Sequence, residues 1–250
     1  MKMDLFEQLT KEEIAIQRIK EFEPTEGYYI AFSGGKDSIV MYDLVKKSGV
    51  KFDIHFSLTS VDPKELLLFV KQYYPEVILD KPKMNMWQLI EKNKMPPTQL
   101  VRYCCRYLKE RGGEGRFKIT GIRRQESYKR SRKNIIDVCN KGGKIARYLH
   151  PIIDWSEQEI WAYIKKNNMP YCKLYDEGFK RIGCIGCPMG SFKQRNKQFE
   201  RWPEYKKAYI NVFSKITTTK HPTGEEWFSW WINKRSKIKI DHKQIEIFAQ

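Results

Sequence analysis

Ser33-Gly34-Gly35-Lys36-Asp37-Ser38 gathers two glycines, a cation and two hydroxyls into six consecutive residues. Glycines let backbone N–H groups approach phosphate oxygens, a following helix N-terminus supplies partial positive charge, and Lys36 adds a full one. The pattern is not a Walker A loop, whose two glycine positions are separated by four residues, and it is not a G-x-G-x-x-G turn. The plain alternative is a Gly-Gly turn with a Ser/Asp helix cap, but turn, cation and hydroxyls coincide here. A second basic feature follows: residues 121–147 carry nine Lys and Arg against Glu126 and Asp137. Such runs are usually solvated loops. Arg123 is the exception expected, because it directly follows an apolar strand pattern, and a guanidinium fork suits phosphate or sulfate oxygens.

Six cysteines form the other chemical set. Cys104-Cys105 opens it and Cys184-Ile185-Gly186-Cys187 closes it. A lone Cys-x-x-Cys is a zinc half-site, a redox pair or an accident. Zinc usually asks for a second such pair or paired histidines, and the four histidines are scattered. Adjacent cysteines are awkward on one small tetrahedral ion, whereas a cubane offers four separate iron corners, so a 4Fe-4S cluster fits better than zinc. Cys139 and Cys172 fall outside the set and read as small hydrophobes, with Cys172 near enough in sequence to Cys184 to handle sulfur.

The elements that must position these residues are legible as alternation. A capped helix is expected from about Leu9 to Phe22, then a strand over Tyr28-Tyr29-Ile30-Ala31-Phe32 and a helix from Asp37 to about Lys47. The loop of interest therefore joins a strand to a helix. Further strands are expected at 52–58, 77–79 and 117–120, with helices at 64–74, 86–91, 99–110 and 156–166. Strands alternating with helices predict an α/β fold, a Rossmann-like doubly wound and mostly parallel sheet. The strand signal stops beyond Met189. Residues 1–190 are accordingly expected to form the α/β domain carrying the cluster cysteines, and residues 191–250 a basic, Trp-rich helical extension packed on it. Trp202, Trp227, Trp230 and Trp231 read as core more than as base-stacking residues. Asp62, after the second strand, faces either a nucleotide or Mg²⁺, or caps the next helix.

The chain has 250 residues, 41% of them hydrophobic, and a formal net charge of +17. That is enough for a core and excludes a disordered chain. The charge attracts polyanions without choosing among nucleotides, nucleic acid and anionic membranes. No apolar run approaches the roughly 20 residues that cross a bilayer, and Met1-Lys2-Met3-Asp4 lacks a secretory pattern. A soluble, cytoplasmic protein with no membrane partner is the expectation.

Ala31-Phe32-Ser33-Gly34-Gly35-Lys36-Asp37-Ser38 resembles the PP-loop of the ATP pyrophosphatases, which cleave ATP between the α and β phosphates. Gly121-Ile122-Arg123-Arg124-Gln125-Glu126-Ser127 with Arg130, Pro151-Ile152-Ile153-Asp154-Trp155 and Leu174-Tyr175-Asp176-Glu177-Gly178-Phe179 resemble the phosphoadenosine phosphosulfate (PAPS) reductase branch. The resemblance spans roughly residues 28–190. It implies the HUP type of sheet. It implies that Ser33, Gly34, Gly35, Lys36, Asp37, Ser38, Asp62, Gly121 and Arg123 bind an adenine nucleotide, with Lys36, Asp37, Arg123 and Arg130 catalytic. Adenosine 5′-phosphosulfate (APS) reductases of this family hold a 4Fe-4S cluster with Cys-Cys and a distant Cys-x-x-Cys. Cys104, Cys105, Cys184 and Cys187 match that arrangement, and Lys109 matches the lysine near the cluster. Glu126 is expected to orient the arginines.

Two departures from a reductase stand out. The family's sulfonucleotide reductases attack with a cysteine in a short C-terminal Glu-Cys-Gly motif, and no cysteine follows Cys187 in this sequence. Reductases also generally carry a degraded PP-loop, whereas Ser33–Ser38 is intact. The first expectation is therefore an enzyme that uses ATP and Mg²⁺, releases pyrophosphate and adenylates an acceptor for cluster-assisted sulfur transfer, as DNA phosphorothioation sulfurtransferases of the family do. The runner-up is a sulfonucleotide reductase borrowing a partner's thiol; third is a non-catalytic nucleotide or nucleic-acid binder. Small molecule, tRNA, DNA and carrier protein stay open as acceptors, a sulfur-donor protein is a further expected partner, and oligomeric state is unread.

Overall fold

The computed structural model describes residues 9–141 and 144–233. Its centre is β1 (Tyr28–Phe32), an apolar run with four of its five residues buried. Around it lie β2 (Phe52–Ser57), β3 (Ile78–Asp80), β4 (Phe117–Ile119), β5 (Ile136–Lys141) and β6 (Lys144–Leu149), in the order β3-β2-β1-β4-β6-β5. Every neighbouring pair is parallel except β5 with β6. Helical crossovers are what permit parallel strands. Here they are α2 (Lys36–Ser48), closed by left-handed Gly49, and α3 (Lys64–Tyr73). The first helix, α1 (Lys11–Glu21), starts on the capping box of Thr10 and Glu13. A later helix, α7 (Glu157–Lys166), starts on that of Ser156 and Glu159. In each box two otherwise orphaned N–H groups are satisfied reciprocally.

The strand order matters for function. From β1 the chain proceeds outward one way to β2 and β3, and then returns to place β4 on the other side of β1. That reversal opens a crevice beyond the carboxyl ends of β1 and β4, the usual ligand position in an open α/β sheet. Ser33–Ser38 follows β1 there, and Gly121–Arg123 follows β4.

Two expectations are corrected. The helix foreseen over 99–110 is only α5 (Tyr103–Leu108). The basic stretch 121–147 is not one loop: it holds a 3-10 turn (Arg124–Glu126), α6 (Tyr128–Ser131) and most of the β5–β6 hairpin, with Ile136 opposite Leu149 and Val138 opposite Arg147. Ile136-Asp137-Val138 before a Gly-Gly pair and Ile145-Ala146-Arg147-Tyr148 after it make a hairpin pattern that charge had obscured.

Two compact units emerge, residues 9–83 with 105–184, and residues 84–104 with 185–233. The first holds the whole sheet. The second holds α4 (Met86–Asn93), α8 (Phe192–Arg201), α9 (Pro203–Ser214) and α10 (Gly224–Asn233). Its core is aromatic: Phe199, Tyr209, Phe213, Phe228 and Trp231 pack edge to face or tilted, with centroids 4.7–6.2 Å apart. Buried indole N–H groups need acceptors. Trp231 donates to the Pro97 carbonyl at 2.7 Å, and Trp227 to that of Ile216 at 3.1 Å. Trp202, Trp227 and Trp231 are core residues as expected, and Trp230 is half-buried. The last expected helical residues, 234–250, lie outside the described residues. No helix is long and apolar enough to cross a membrane, among the described residues.

Candidate functional site

At the end of β1 the backbone turns through Gly34, whose φ of +67° disfavours any side chain. A Cβ there would also lie 2.7 Å from a Leu66 methyl. The turn delivers Ser38 into α2, where its buried hydroxyl donates to the Gly35 carbonyl at 2.9 Å and meets the Ser33 N–H and hydroxyl. Gly35 is the helix N-cap and carries no side-chain cap, so the Ser/Asp cap that would have made this an ordinary helix start is not formed. Instead, the Lys36 N–H donates to the Tyr175 hydroxyl at 2.9 Å.

Lys36 is 5% exposed. Its ammonium faces the Lys180 carbonyl at 3.3 Å, Glu157 at 3.3 Å and Asp37 at 3.6 Å, and lies 5.5 Å from the Tyr175 ring centre. The neighbouring Asp37 carboxylate accepts from Arg123 Nε. Arg123 is 3% exposed and also donates to the Trp155 carbonyl at 3.3 Å and to Gln125 Oε1 at 3.3 Å. Two buried cations therefore converge on one carboxylate at the sheet's carboxyl edge. Gly121 makes this approach possible, since a Cβ on it would stand 2.8 Å from the Asp37 carbonyl oxygen. Glu126 accepts from the Arg123 N–H at 2.9 Å and pairs with Arg130, the orienting role expected of it. Burial, followed by the charges of Asp37, Cys172 and Glu157, pushes the Tyr175 pKa up, against the Lys36 N–H, so the phenol stays protonated.

Asp62 is buried in the loop after β2. Its carboxylate accepts the Thr59 N–H at 2.6 Å, whereas the N-cap of α3 is Pro63, without a side-chain cap. The helix-cap alternative for Asp62 is therefore not what the structure shows. The Thr59 hydroxyl in the same loop accepts from Cys184 Sγ at 3.4 Å. This places Cys184 against the loop that follows β2.

The remaining thiols are placed as follows. Cys104 is buried and Cys105 half-buried on α5, and the N–H of exposed Lys109 donates to the Cys105 carbonyl at 2.9 Å. Cys187 follows a turn at Gly186, where φ is +72° and a Cβ would meet Phe199, Trp231 and Tyr209. No disulfide joins any of the six cysteines. Among the described residues no group of three or more His, Cys, Asp or Glu stands ready to hold a metal ion. Cys172 is buried, and burial raises its thiol pKa. Cys139 lies half-buried on β5.

Sequence reasoning missed two features. Thr120, the residue before Gly121, lies 2.7 Å from His150 Nδ1, and His150 Nε2 lies 3.1 Å from Asp137. Burial lowers the His150 pKa despite Asp137. Burial raises that of Asp137, but Lys133 and His150 bring it net down. A neutral His150 thus donates to an ionised Asp137 and accepts from Thr120. The second feature is Arg195 on α8, 4% exposed, with Nε and Nη2 buried and unpartnered.

A glycine-rich strand–loop–helix turn, with buried lysine and arginine beside it, also accords with what the chain resembles. The phosphoadenosine phosphosulfate reductase domain model matches residues 27–189. The chain belongs to that family. Family membership places it in the adenine nucleotide alpha hydrolase-like superfamily. It is 30% identical over 225 residues to MJ0066 of Methanocaldococcus jannaschii, covering 82% of this chain and 46% of that protein. It is 30% identical over 193 residues to an adenosine 5′-phosphosulfate reductase of Staphylococcus haemolyticus, covering 70% of this chain and 76% of that one. The chain spans about half the length of the first curated relatives it matches. Among solved structures, the phosphate complex of the PAPS reductase of Candida auris aligns with a TM-score of 0.49 and 21% identity, over 71% of this chain and 96% of the other.

Proposed function

We propose that this PAPS reductase-family protein is an ATP pyrophosphatase that adenylates an acceptor for sulfur transfer. The observation that carries the reading is the intact loop: Gly34 in a conformation only glycine tolerates well, Lys36 buried beside it, and Arg123 held against Asp37 where α2 begins. The loop amides and Lys36 would take the β and γ phosphates of ATP, with Mg²⁺ sharing that charge, and Arg123 and Arg130 would hold the second anion. An acceptor oxygen would attack the α-phosphorus as the α–β bridging P–O bond breaks. The bonding pair would leave on pyrophosphate, whose growing charge the preorganised donors stabilise. Gly121 keeps the backbone close enough for Asp37 to aim Arg123, and Asp62 fixes the loop after β2.

Cys104, Cys105, Cys184 and Cys187 would hold a 4Fe-4S cluster, with Lys109 near it. The donor chemistry fits: four thiols, and a buried guanidinium in the same unit as Cys187 with two unpartnered N–H positions. Such a cluster supplies a Lewis-acidic or redox centre for sulfur. The acceptor is a small molecule, a carrier protein, tRNA or DNA, with a sulfur-donor protein as further partner. Relation to APS reductase favours a second reading, reduction of a sulfonucleotide by a borrowed thiol.

Substrate comparison decides between them. ATP with Mg²⁺ should yield AMP and pyrophosphate, and a true nucleic-acid acceptor should stimulate that release and bind selectively near physiological salt. Reduction of APS or PAPS to sulfite with ATP untouched would overturn the first reading. Binding to nucleic acid that vanishes by about 200 mM salt would reflect counterion release alone.

A further inference from the structure

A charged guanidinium in a protein interior is normally met by a carboxylate, by a set of carbonyls, or by a ligand. Arg195 is met by little. Nη1 donates to the Trp231 carbonyl at 3.0 Å and the guanidinium lies 4.1 Å from the Trp231 ring centre. Nε and Nη2 have no partner, and no carboxylate among the described residues pairs with Arg195. It also sits in the first turn of α8, where the helix dipole opposes a positive charge. Burial lowers its pKa only to about 10, with Tyr209 and Cys187 pulling it back up, so the charge persists at neutral pH.

What surrounds it is the Cys-x-x-Cys turn. The Gly190 N–H donates to the Cys187 carbonyl at 2.9 Å, and a Cβ on Gly190 would lie 3.2 Å from that oxygen and 3.4 Å from Arg195 Cγ. Gly190 thus packs closely between the Cys187 carbonyl and the arginine stem. From the same helix, Gln198 Oε1 accepts the Gly186 N–H at 2.9 Å, and from α9 the Tyr209 hydroxyl donates to the Ile185 carbonyl at 3.1 Å. One small helical scaffold therefore fixes the turn and carries the uncompensated cation.

We infer that Arg195 is a positioning residue for an anionic iron–sulfur centre at Cys187, supplying the buried positive charge that such a centre lacks in an apolar surround. This rests on the cluster assignment made above. A thiolate-ligated cluster gains negative charge on reduction, so a fixed cation beside it favours the reduced state and raises the reduction potential. A purely structural arginine would have its donors satisfied; this one keeps two in reserve.

The test uses full-length protein loaded anaerobically with iron and sulfide. Potential is read by titration monitored through electron paramagnetic resonance, and iron loss to a chelator is timed. Arg195→Met and Arg195→Gln are both made, so that one that folds poorly leaves the other. A neutral side chain should shift the potential negative, by about 59 mV for each tenfold change in the oxidised-to-reduced ratio at fixed poise. It should also release iron about tenfold faster. Arg195→Lys, which keeps the charge but not the fork, should recover part of the shift. Wild-type protein that takes up zinc and no iron would overturn the cluster assignment and this inference together. Wild-type protein that holds its cluster, with unchanged potential and iron loss in the neutral variants, would overturn this inference alone.

Discussion

Arg123 and Arg195 are equally buried, at 3% and 4% exposure, and differ in what meets them. Arg123 has a carboxylate, a backbone carbonyl and a side-chain amide oxygen around its fork. Arg195 has one carbonyl and a ring face. In the first arrangement the chain supplies the counter-charge, and Asp37 holds the fork in place at the start of α2. The second is incomplete by one anion. A buried cation with its partner in place is held in one orientation; a buried cation without one keeps donors unmet.

The comparison breaks most visibly if Arg123 is made to resemble Arg195. Asp37→Ala removes its counter-charge and should cost about 3–5 kcal/mol of stability, the penalty of leaving a buried charge alone, as well as lowering any pyrophosphate release. Urea unfolding followed by circular dichroism checks it. Stability within about 1 kcal/mol of wild type would show that Arg123 finds another partner. Next in size is Lys36→Ala, which tests the proposed role of that charge toward the phosphates. A 10²–10³-fold slower release of pyrophosphate, about 3 kcal/mol of transition-state stabilisation, is expected with an unfolding midpoint close to wild type. A rate within threefold of wild type would remove Lys36 from the chemistry.

The two arginines can also be compared directly as Met variants. Arg123→Met strands the partly exposed Asp37 and should cost about 2 kcal/mol, whereas Arg195→Met in protein stripped of iron should cost less than about 1, because no ion pair is lost. Equal costs would erase the distinction. The smallest effect is that of pH. Burial holds His150 below its usual 6.5, so the unfolded chain takes the proton first. Its contribution to stability is complete above that value and is lost as pH falls through the lowered folded pKa. His150→Gln should flatten the unfolding midpoint across that window; an unchanged slope would assign the dependence elsewhere.

Much of the first unit was legible because its elements obey local rules. Thr10 with Glu13 and Ser156 with Glu159 are capping boxes in both sequence and structure, and the apolar period switches at Phe32 where the strand ends. What failed to show was set by distant residues. Tyr175 reaches Lys36 across 139 positions, and no periodicity links them. Arg195 sits in a helix, Phe192–Arg201, so polar that its buried face is easily passed over. A signal did exist: Arg195, Gln198, Phe199 and Trp202 recur at helical spacing, and a charged residue on such a face is worth noting. Cys104, Cys105, Cys184 and Cys187 were legible as a set of types and spacings, which is the level at which thiol chemistry is written in a chain.

At Gly121 a single hydrogen atom separates the backbone after β4 from the Asp37 carbonyl. Relatives that differ there cannot differ only there. A methyl in that place meets the backbone of Asp37 and Ser38, so one of two motifs 84 residues apart must give way to it. Each motif thus limits what the other can become, and a change at the glycine couples to the backbone at the start of α2.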